Sequence, residues 1–249
     1  MGVRVVIAKA NGQALGEESC RGGTASPHDS AVEPAAAPSL RDQAYEVLEE
    51  LITLRVLPAG SLLSETSLSK KLGFGRTPIR EALLRLSLEG LVVVLPRRGI
   101  IVAEIDTRTQ LKILEIRAEL ERLVVRHAAR LAAPAQRTRM RALADEITAT
   151  AHDGDGRAFM QVLRECHAIT AEAADNEILA DMIRRVHGLS RRFWFAHYEK
   201  YGSLEKAAEL HAARLIAMAR GEPEQAASSS DHLVEYLEKF TRSTLGIAV

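Results

Sequence analysis

Basic side chains are concentrated in one short stretch of the sequence. Residues 70–98 hold seven basic side chains against two acidic ones, a difference of +5, whereas the formal net charge of all 249 residues is zero. An arginine fork can donate to two acceptors of one guanine, and lysine or arginine can pair with phosphates. This patch predicts contact with double-stranded DNA, which the overall charge alone does not indicate. The basic residues are Lys70, Lys71, Arg76, Arg80, Arg85, Arg97 and Arg98.

Three short helices are predicted around this patch. Ser39 and Ser64 are suitable N-caps for the first two, and Gly73 ends the second. In the third helix we expect Thr77 as the N-cap and Pro78 at the first position, where a missing N–H costs nothing.

The third helix and the segment after it would present the arginines. Apolar residues recur at helical spacing and face inward, which leaves Arg76 and Arg80 near the exposed N-terminal end, where a recognition helix contacts base edges. Residues 91–105 then predict a β-hairpin with Arg97 and Arg98 at its tip. The candidate DNA-contacting residues are therefore Lys70, Arg76, Thr77, Arg80, Arg85, Arg97, Arg98 and Gly99.

Three histidines further along the chain could bind a metal. His167, His211 and His232 lie in apolar-patterned helical segments, from which side chains can project into the interior of a bundle. Zinc often takes three protein ligands and keeps an open position. The three residues are far apart in sequence, so their spacing does not distinguish metal ligands from ordinary helix histidines.

The remaining pattern predicts a mainly α protein. Helices are expected over 107–133, 136–151, 155–174, 177–200, 203–220 and 223–243, with connections short enough for an antiparallel bundle. The order of elements indicates a winged helix-turn-helix of three helices plus a hairpin at 39–105, followed by an all-helical domain at 106–249. Residues 1–38 are rich in Gly, Ala, Ser and Pro and are predicted to form a disordered tail.

Several protein classes do not fit this composition. No stretch approaches the roughly 20 apolar residues of a membrane span. Cys20 and Cys166 lack disulfide or metal spacing, which favours free thiols and a cytoplasmic location. We find no phosphate-binding glycine loop, no nucleophile elbow and no catalytic residue to assign, so an enzyme is not expected.

The segment 57–102 is similar to the DNA-binding domain of the GntR family. RTPIREAL at 76–83, LEGL at 88–91 and PRRG at 96–99 carry the resemblance. It implies that Arg76 and Arg80 contact operator DNA and that Gly99 lies at the wing tip.

Residues 107–243 resemble the FCD effector domain of the FadR-like branch of that family. The similar segments are LEIRAELERLVVRHAARLAA, CHAITAEAADN and HAARLIAMARGEPEQA. The resemblance implies a divalent metal, commonly zinc or nickel, held by His167, His211 and His232 beside a pocket for a small organic acid. Arg117 would face that pocket, and its fork suits a carboxylate. Leu163 stands where metal-binding members usually have an aspartate, which removes one ligand and its charge.

Together these observations predict a homodimeric repressor that binds double-stranded operator DNA and responds to a small carboxylate effector. Two other interpretations stay open. One is a metal-dependent enzyme that uses the three histidines, and the other is an architectural DNA-binding protein whose bundle only dimerises.

Overall fold

The computed structural model describes residues 39–245, and the predicted tail at 1–38 and Cys20 lie outside this range. Residues 40–102 form a winged helix-turn-helix, as the periodicity predicts. Its elements are α1 (Leu40–Thr53), β1 (Leu62–Leu63), α2 (Glu65–Leu72), α3 (Arg76–Leu88), β2 (Val92–Leu95) and β3 (Gly99–Val102).

The caps of the first two helices are confirmed. The Ser39 hydroxyl accepts from the Asp42 amide at 3.2 Å, and the Ser64 hydroxyl accepts from the Ser67 amide at 3.4 Å. Gly73 ends α2 in the left-handed conformation with φ +77°, which its missing Cβ permits.

The start of α3 differs from the prediction. Gly75 is the N-cap, it makes no side-chain cap bond, and Thr77 is the second residue of the helix rather than its cap. Pro78 is therefore the third residue of α3 rather than the first. Proline is tolerated there because the first four N–H groups of a helix have no intrahelical partner. The exposed Thr77 side chain therefore lies on the helix surface instead of closing its end.

A three-stranded antiparallel sheet forms the wing, in the order β1–β3–β2. The two-residue strand β1 was not predicted, because a strand so short has no period to detect. In the hairpin turn the Arg98 amide donates to the Leu95 carbonyl at 3.0 Å, and Arg97 has φ +62°. Gly99 has φ +97°, and a Cβ there would lie 3.2 Å from Leu62, so glycine suits this position.

Six helices form the second part, and each end lies within two residues of its prediction. They are α4 (Thr107–Leu131), α5 (Pro134–His152), α6 (Gly156–Ala173), α7 (Glu177–Tyr201), α8 (Leu204–Arg220) and α9 (Pro223–Ser243). The pairs α4–α9 and α5–α8 make the most extensive contacts. The mainly α fold class is confirmed. No helix within residues 39–245 is both long enough and apolar enough to cross a membrane.

Each part has its own hydrophobic core, and α1 packs against α7 where the parts meet. There the Arg191 guanidinium donates to the Glu49 carboxylate at 2.6 Å, with both side chains buried. Arg192 donates to the Ala103 carbonyl just after β3. Two adjacent arginines of α7 thus hold α1 and the end of the wing.

Candidate functional site

The N-terminal end of α3 presents a polar, exposed surface. Arg76, Thr77 and Arg80 are all exposed there, and the four apolar residues of the opposite face are buried. Arg80 is paired in this structure: its Nε and Nη2 donate to the Glu65 carboxylate at 3.1 and 3.0 Å. The surface can therefore meet base edges and phosphates, with Arg80 exchanging one anionic partner for another.

The other predicted DNA contacts lie on separate exposed points. Arg97, Arg98 and Gly99 are exposed in the β2–β3 turn, and Lys70 is exposed in the last turn of α2. These basic residues lie in the elements that precede and follow α3 in the sequence. Exposed positive charge of this kind suits contacts with the sugar–phosphate backbone.

Arg85 lies apart from this exposed surface, and its contact with DNA stays a prediction. Its guanidinium lies 3.7 Å from the centre of the Tyr45 ring and 3.2 Å from the Glu89 carboxylate. Nine residues separate Arg85 from Arg76, which is two and a half helical turns and therefore the opposite side of α3. Arg85 supports the packing of α1 on α3 instead.

A buried carboxylate organises the interior of the helical bundle. Glu121 of α4 is fully buried and accepts from Arg214 Nη1 at 2.6 Å, from Arg117 Nε at 3.1 Å and from a His187 ring nitrogen at 2.8 Å. Arg117 also donates through Nη1 to the Ser190 hydroxyl at 2.9 Å. We call Arg117, Glu121, His187, Ser190 and Arg214 the buried polar cluster.

The cluster carries an excess of positive charge. Burial alone would raise the pKa of Glu121, but Arg214, His187 and Arg117 together hold that pKa well below its ordinary value. Burial lowers the pKa of His187 to about 4 against the opposing effect of Glu121. Near neutral pH the cluster thus contains two guanidinium charges, one carboxylate and a neutral imidazole. Arg214 Nε and Nη2 have no hydrogen-bond partner within residues 39–245.

The histidines are arranged differently from the prediction. His167 and His211 are buried, with ring centres 5.6 Å apart, but His232 is exposed. The buried stripe of α9 contains Leu233 and Leu237, and His232 lies on the solvent side of that helix. The third buried imidazole is His187, whose ring stacks on His167 with centres 3.7 Å apart.

These residues do not fit a metal ion. Among the residues that the structure describes, no three His, Cys, Asp or Glu side chains are placed to hold one. The space between His167 and His211 is a cavity of about 20 Å³ whose wall includes Leu163 and Leu233, which offer no lone pair. His187 uses one ring nitrogen to bond Glu121. The predicted zinc or nickel site therefore lacks a third ligand.

Arg117 does line this inner cavity, as expected, together with His167 and His211. Trp194 lines it too and stacks on Phe159 with ring centres 5.4 Å apart, so this tryptophan both packs the bundle and forms part of the cavity wall.

Sequence reasoning missed Glu121, His187, Ser190 and Arg214. The available signal was a charged or polar residue at a core position of an amphipathic helix: Glu121 precedes buried Val124 and Val125, and Arg214 precedes buried Leu215. Polar groups at such positions need partners, so each one points to a network.

Comparisons with known proteins agree with these two parts. The family model for bacterial regulatory proteins of the gntR family matches residues 40–102, and the FCD domain model matches residues 112–235. The Nta operon transcriptional regulator of Aminobacter aminovorans is 28% identical over 183 residues, covering 73% of this chain and 85% of that protein. An uncharacterized HTH-type transcriptional regulator of Agrobacterium vitis is 34% identical over 91 residues, covering 36% of this chain and about half (53%) of the relative.

A solved structure, E. coli McbR/YncC, superposes with a TM-score of 0.71 at 24% identity, covering 84% of this chain and all (100%) of that one. That likeness supports the fold. The two family models match the winged helix-turn-helix and most of the helical bundle. The chain is thus a transcription regulator rather than an enzyme, a member of the FadR-like branch of the GntR family with an FCD domain behind its winged helix-turn-helix.

Proposed function

We propose that the protein is a homodimeric cytoplasmic repressor that reads a pseudo-palindromic operator with two copies of α3. The observation that carries this proposal is the exposed N-terminal end of α3, where Arg76, Thr77 and Arg80 project together. In a winged helix-turn-helix this end enters the major groove. Arg97 and Arg98 would then bind phosphates or the adjacent minor groove, and a dimer bound at a promoter would block access by the polymerase.

A dimer also fits the distribution of apolar surface. Ile116 and Leu123 of α4 are 58% and 46% exposed and lie seven residues apart, on one side of the helix. A second copy of the chain is the partner that would cover this side.

We propose further that a small carboxylate effector modulates operator affinity through the helical domain. The buried polar cluster holds two guanidinium groups against one carboxylate, and unpaired buried charge is costly. An anionic ligand bound beside the cluster would supply negative charge. A coupling free energy of about 1–3 kcal/mol between two sites is typical of allosteric proteins and would suffice here.

This proposal needs no metal, because the anion would be held by arginine and neutral histidine. Elemental analysis of untagged protein, purified without chelators or a nickel column, should find far less than one metal per chain in the native chain and in His211→Ala. One metal per chain that is lost in His211→Ala would contradict it and would restore the metal-dependent alternatives.

The operator part is tested by DNA binding after the operator has been found by selection from genomic fragments. Arg76→Ala should weaken operator binding by roughly 10- to 100-fold and reduce discrimination against random DNA, because a base contact contributes about 1–3 kcal/mol. Arg130→Ala is the matched control, since Arg130 is exposed in the last turn of α4, within the bundle. Equal losses for both variants would overturn the assignment of α3.

A further inference from the structure

A second cavity lies between the winged domain and the bundle. It has a volume of about 220 Å³, and we call it the junction cavity. Four guanidinium groups and three carboxylates line it, an excess of one positive charge: Arg85 of α3, Arg164 of α6, and Arg184 and Arg191 of α7, with Glu46, Glu49 and Glu165. His167 and His187 form part of its wall on the bundle side.

Several buried polar atoms around the junction cavity have no hydrogen-bond partner within residues 39–245. They are both ring nitrogens of His167, Nδ1 of His187 and Nη1 of Arg164. His167 and His187 are 3% and 1% exposed, so solvent does not satisfy these atoms. Arg164 lies 3.9 Å from the Glu46 carboxylate, too far for a hydrogen bond. Because His187 Nε2 donates to Glu121, its Nδ1 carries a lone pair, and so does one nitrogen of the neutral His167 ring. The other His167 nitrogen and Arg164 Nη1 are unsatisfied buried donors, which indicate a missing ligand with acceptor atoms.

The junction cavity has room that the inner cavity lacks. The inner cavity, at about 20 Å³, holds one water molecule, whereas about 220 Å³ holds several waters or a small organic acid. His167 and Arg191 line both cavities and therefore separate them. An acid with two carboxylates fits the junction cavity without any rearrangement of the bundle core.

The same cavity contains the ion pair that joins the two parts. Glu49 of α1 and Arg191 of α7 both line it, and their side chains are 4% and 9% exposed. The other ion pairs across this junction, Arg157–Glu50 and Arg164–Glu46, are much more exposed. An anion that enters beside Arg191 competes directly with Glu49 for the guanidinium.

We propose that the junction cavity binds a small dicarboxylate, which pairs with Arg164 and Arg184 and takes Arg191 from Glu49, so that α1 is released from α7. The binding site itself stands on the geometry of the cavity, and only its effect on DNA rests on the proposed repressor function. Release of α1 would change how the two recognition helices are held and would lower operator affinity.

Isothermal titration of the full chain tests the site, with succinate as the probe and inorganic phosphate in a parallel titration. Arg164→Met should weaken succinate binding at least tenfold, because it removes a charge and an unpaired donor. Arg157→Met is the matched control: it removes an arginine of the same helix that also pairs across the junction but does not line this cavity. Its affinity should stay within about twofold of the native value.

Two further variants separate a binding role from a structural one. Ala168 is exposed and lines the junction cavity, so Ala168→Phe should fill it and abolish succinate binding while the protein stays folded. Glu49→Gln removes the competitor for Arg191 and should tighten succinate binding by several-fold. A purely structural Glu49 would not produce that gain.

The possible failures are distinct. No heat with succinate up to about 10 mM, a concentration that would detect even millimolar affinity, overturns the site. Preference for phosphate over succinate overturns the dicarboxylate class. Native affinity in both Arg164→Met and Ala168→Phe would move the ligand elsewhere and overturn the junction site, without affecting the operator test. Conversely, succinate binding with no operator binding would leave this site standing and refute the repressor function.

Discussion

The DNA-facing surface and the buried polar cluster use the same residue types under opposite conditions. On the surface, Arg80 and Glu65 pair with 71% and 29% of their side chains exposed, so water screens the pair. In the bundle, Arg214 and Glu121 pair with no exposure at all. Water can replace either partner on the surface, but nothing can replace one inside. The surface is therefore adaptable toward DNA, whereas the cluster is sensitive to every change of charge.

The largest expected effect comes from removing the carboxylate of the buried Arg214–Glu121 pair. Glu121→Gln leaves two guanidinium groups buried without a counter-charge, and we expect it to destabilise the protein by about 3–5 kcal/mol. Urea unfolding of Glu121→Gln and Glu65→Gln should show the contrast, with Glu65→Gln close to the native chain. Similar urea midpoints for the two variants would mean that the two buried guanidinium groups tolerate the loss of their carboxylate.

A smaller effect should appear on acidification. Burial lowers the pKa values of His167, His187 and His211 below that of a free imidazole, with His187 at about 4. Below about pH 6.5 the unfolded chain then binds more protons than the native chain, so stability falls as pH falls from about 6.5 toward 4.

Variants can assign this pH dependence to the interior. His187→Gln should reduce the slope of unfolding free energy by up to about 1.4 kcal/mol per pH unit between roughly pH 4.5 and 6. His232→Gln, which changes an exposed position outside the buried polar cluster, is the matched control. If the slope changed in His232→Gln and not in His187→Gln, His232 rather than His187 would be the buried imidazole.

The smallest effect concerns the wing. Arg97 adopts φ +62°, a conformation that disfavours most side chains but that asparagine tolerates. Arg97→Asn should therefore stabilise the protein by roughly a few tenths of a kcal/mol. It should also weaken DNA binding and lower the slope of log affinity against log salt concentration by about one, the value of one phosphate contact. Thermal unfolding and binding across a salt series measure both changes. A loss of stability together with unchanged DNA binding would show that Arg97 serves the hairpin alone.

The two regions also differ in how far the sequence predicts them. The exposed surface follows from local patterns: Ile79, Leu83 and Leu86 face inward, so Arg76 must face outward. A count of charges ignores the helical period, which turns Arg85 to the side of α3 opposite Arg76. Thr77 was misplaced because proline is tolerated at several positions of a first helical turn.

The buried polar cluster could be predicted only in part. His167 and His211 were recognised as inward-facing, but His232 was not separable from them by apolar patterning, since Leu233 beside it supplies the same signal. Residues from α4, α7 and α8 meet at Glu121, and such meetings depend on how helices pack rather than on the period of any one of them. The same applies to Glu49 and Arg191, which are 142 residues apart.

The Arg80–Glu65 pair has a consequence for how the protein searches the genome. Off DNA, the Glu65 carboxylate is the acceptor for Arg80 that a phosphate or base would replace, so contact of Arg80 with DNA must first break these two hydrogen bonds. Only a site that offers Arg80 an equally good acceptor recovers that loss. We therefore expect the exchange of Glu65 for another acceptor to add a small part of the difference between brief stays on random sequence and long ones on the operator, since an exposed pair contributes at most about 1 kcal/mol.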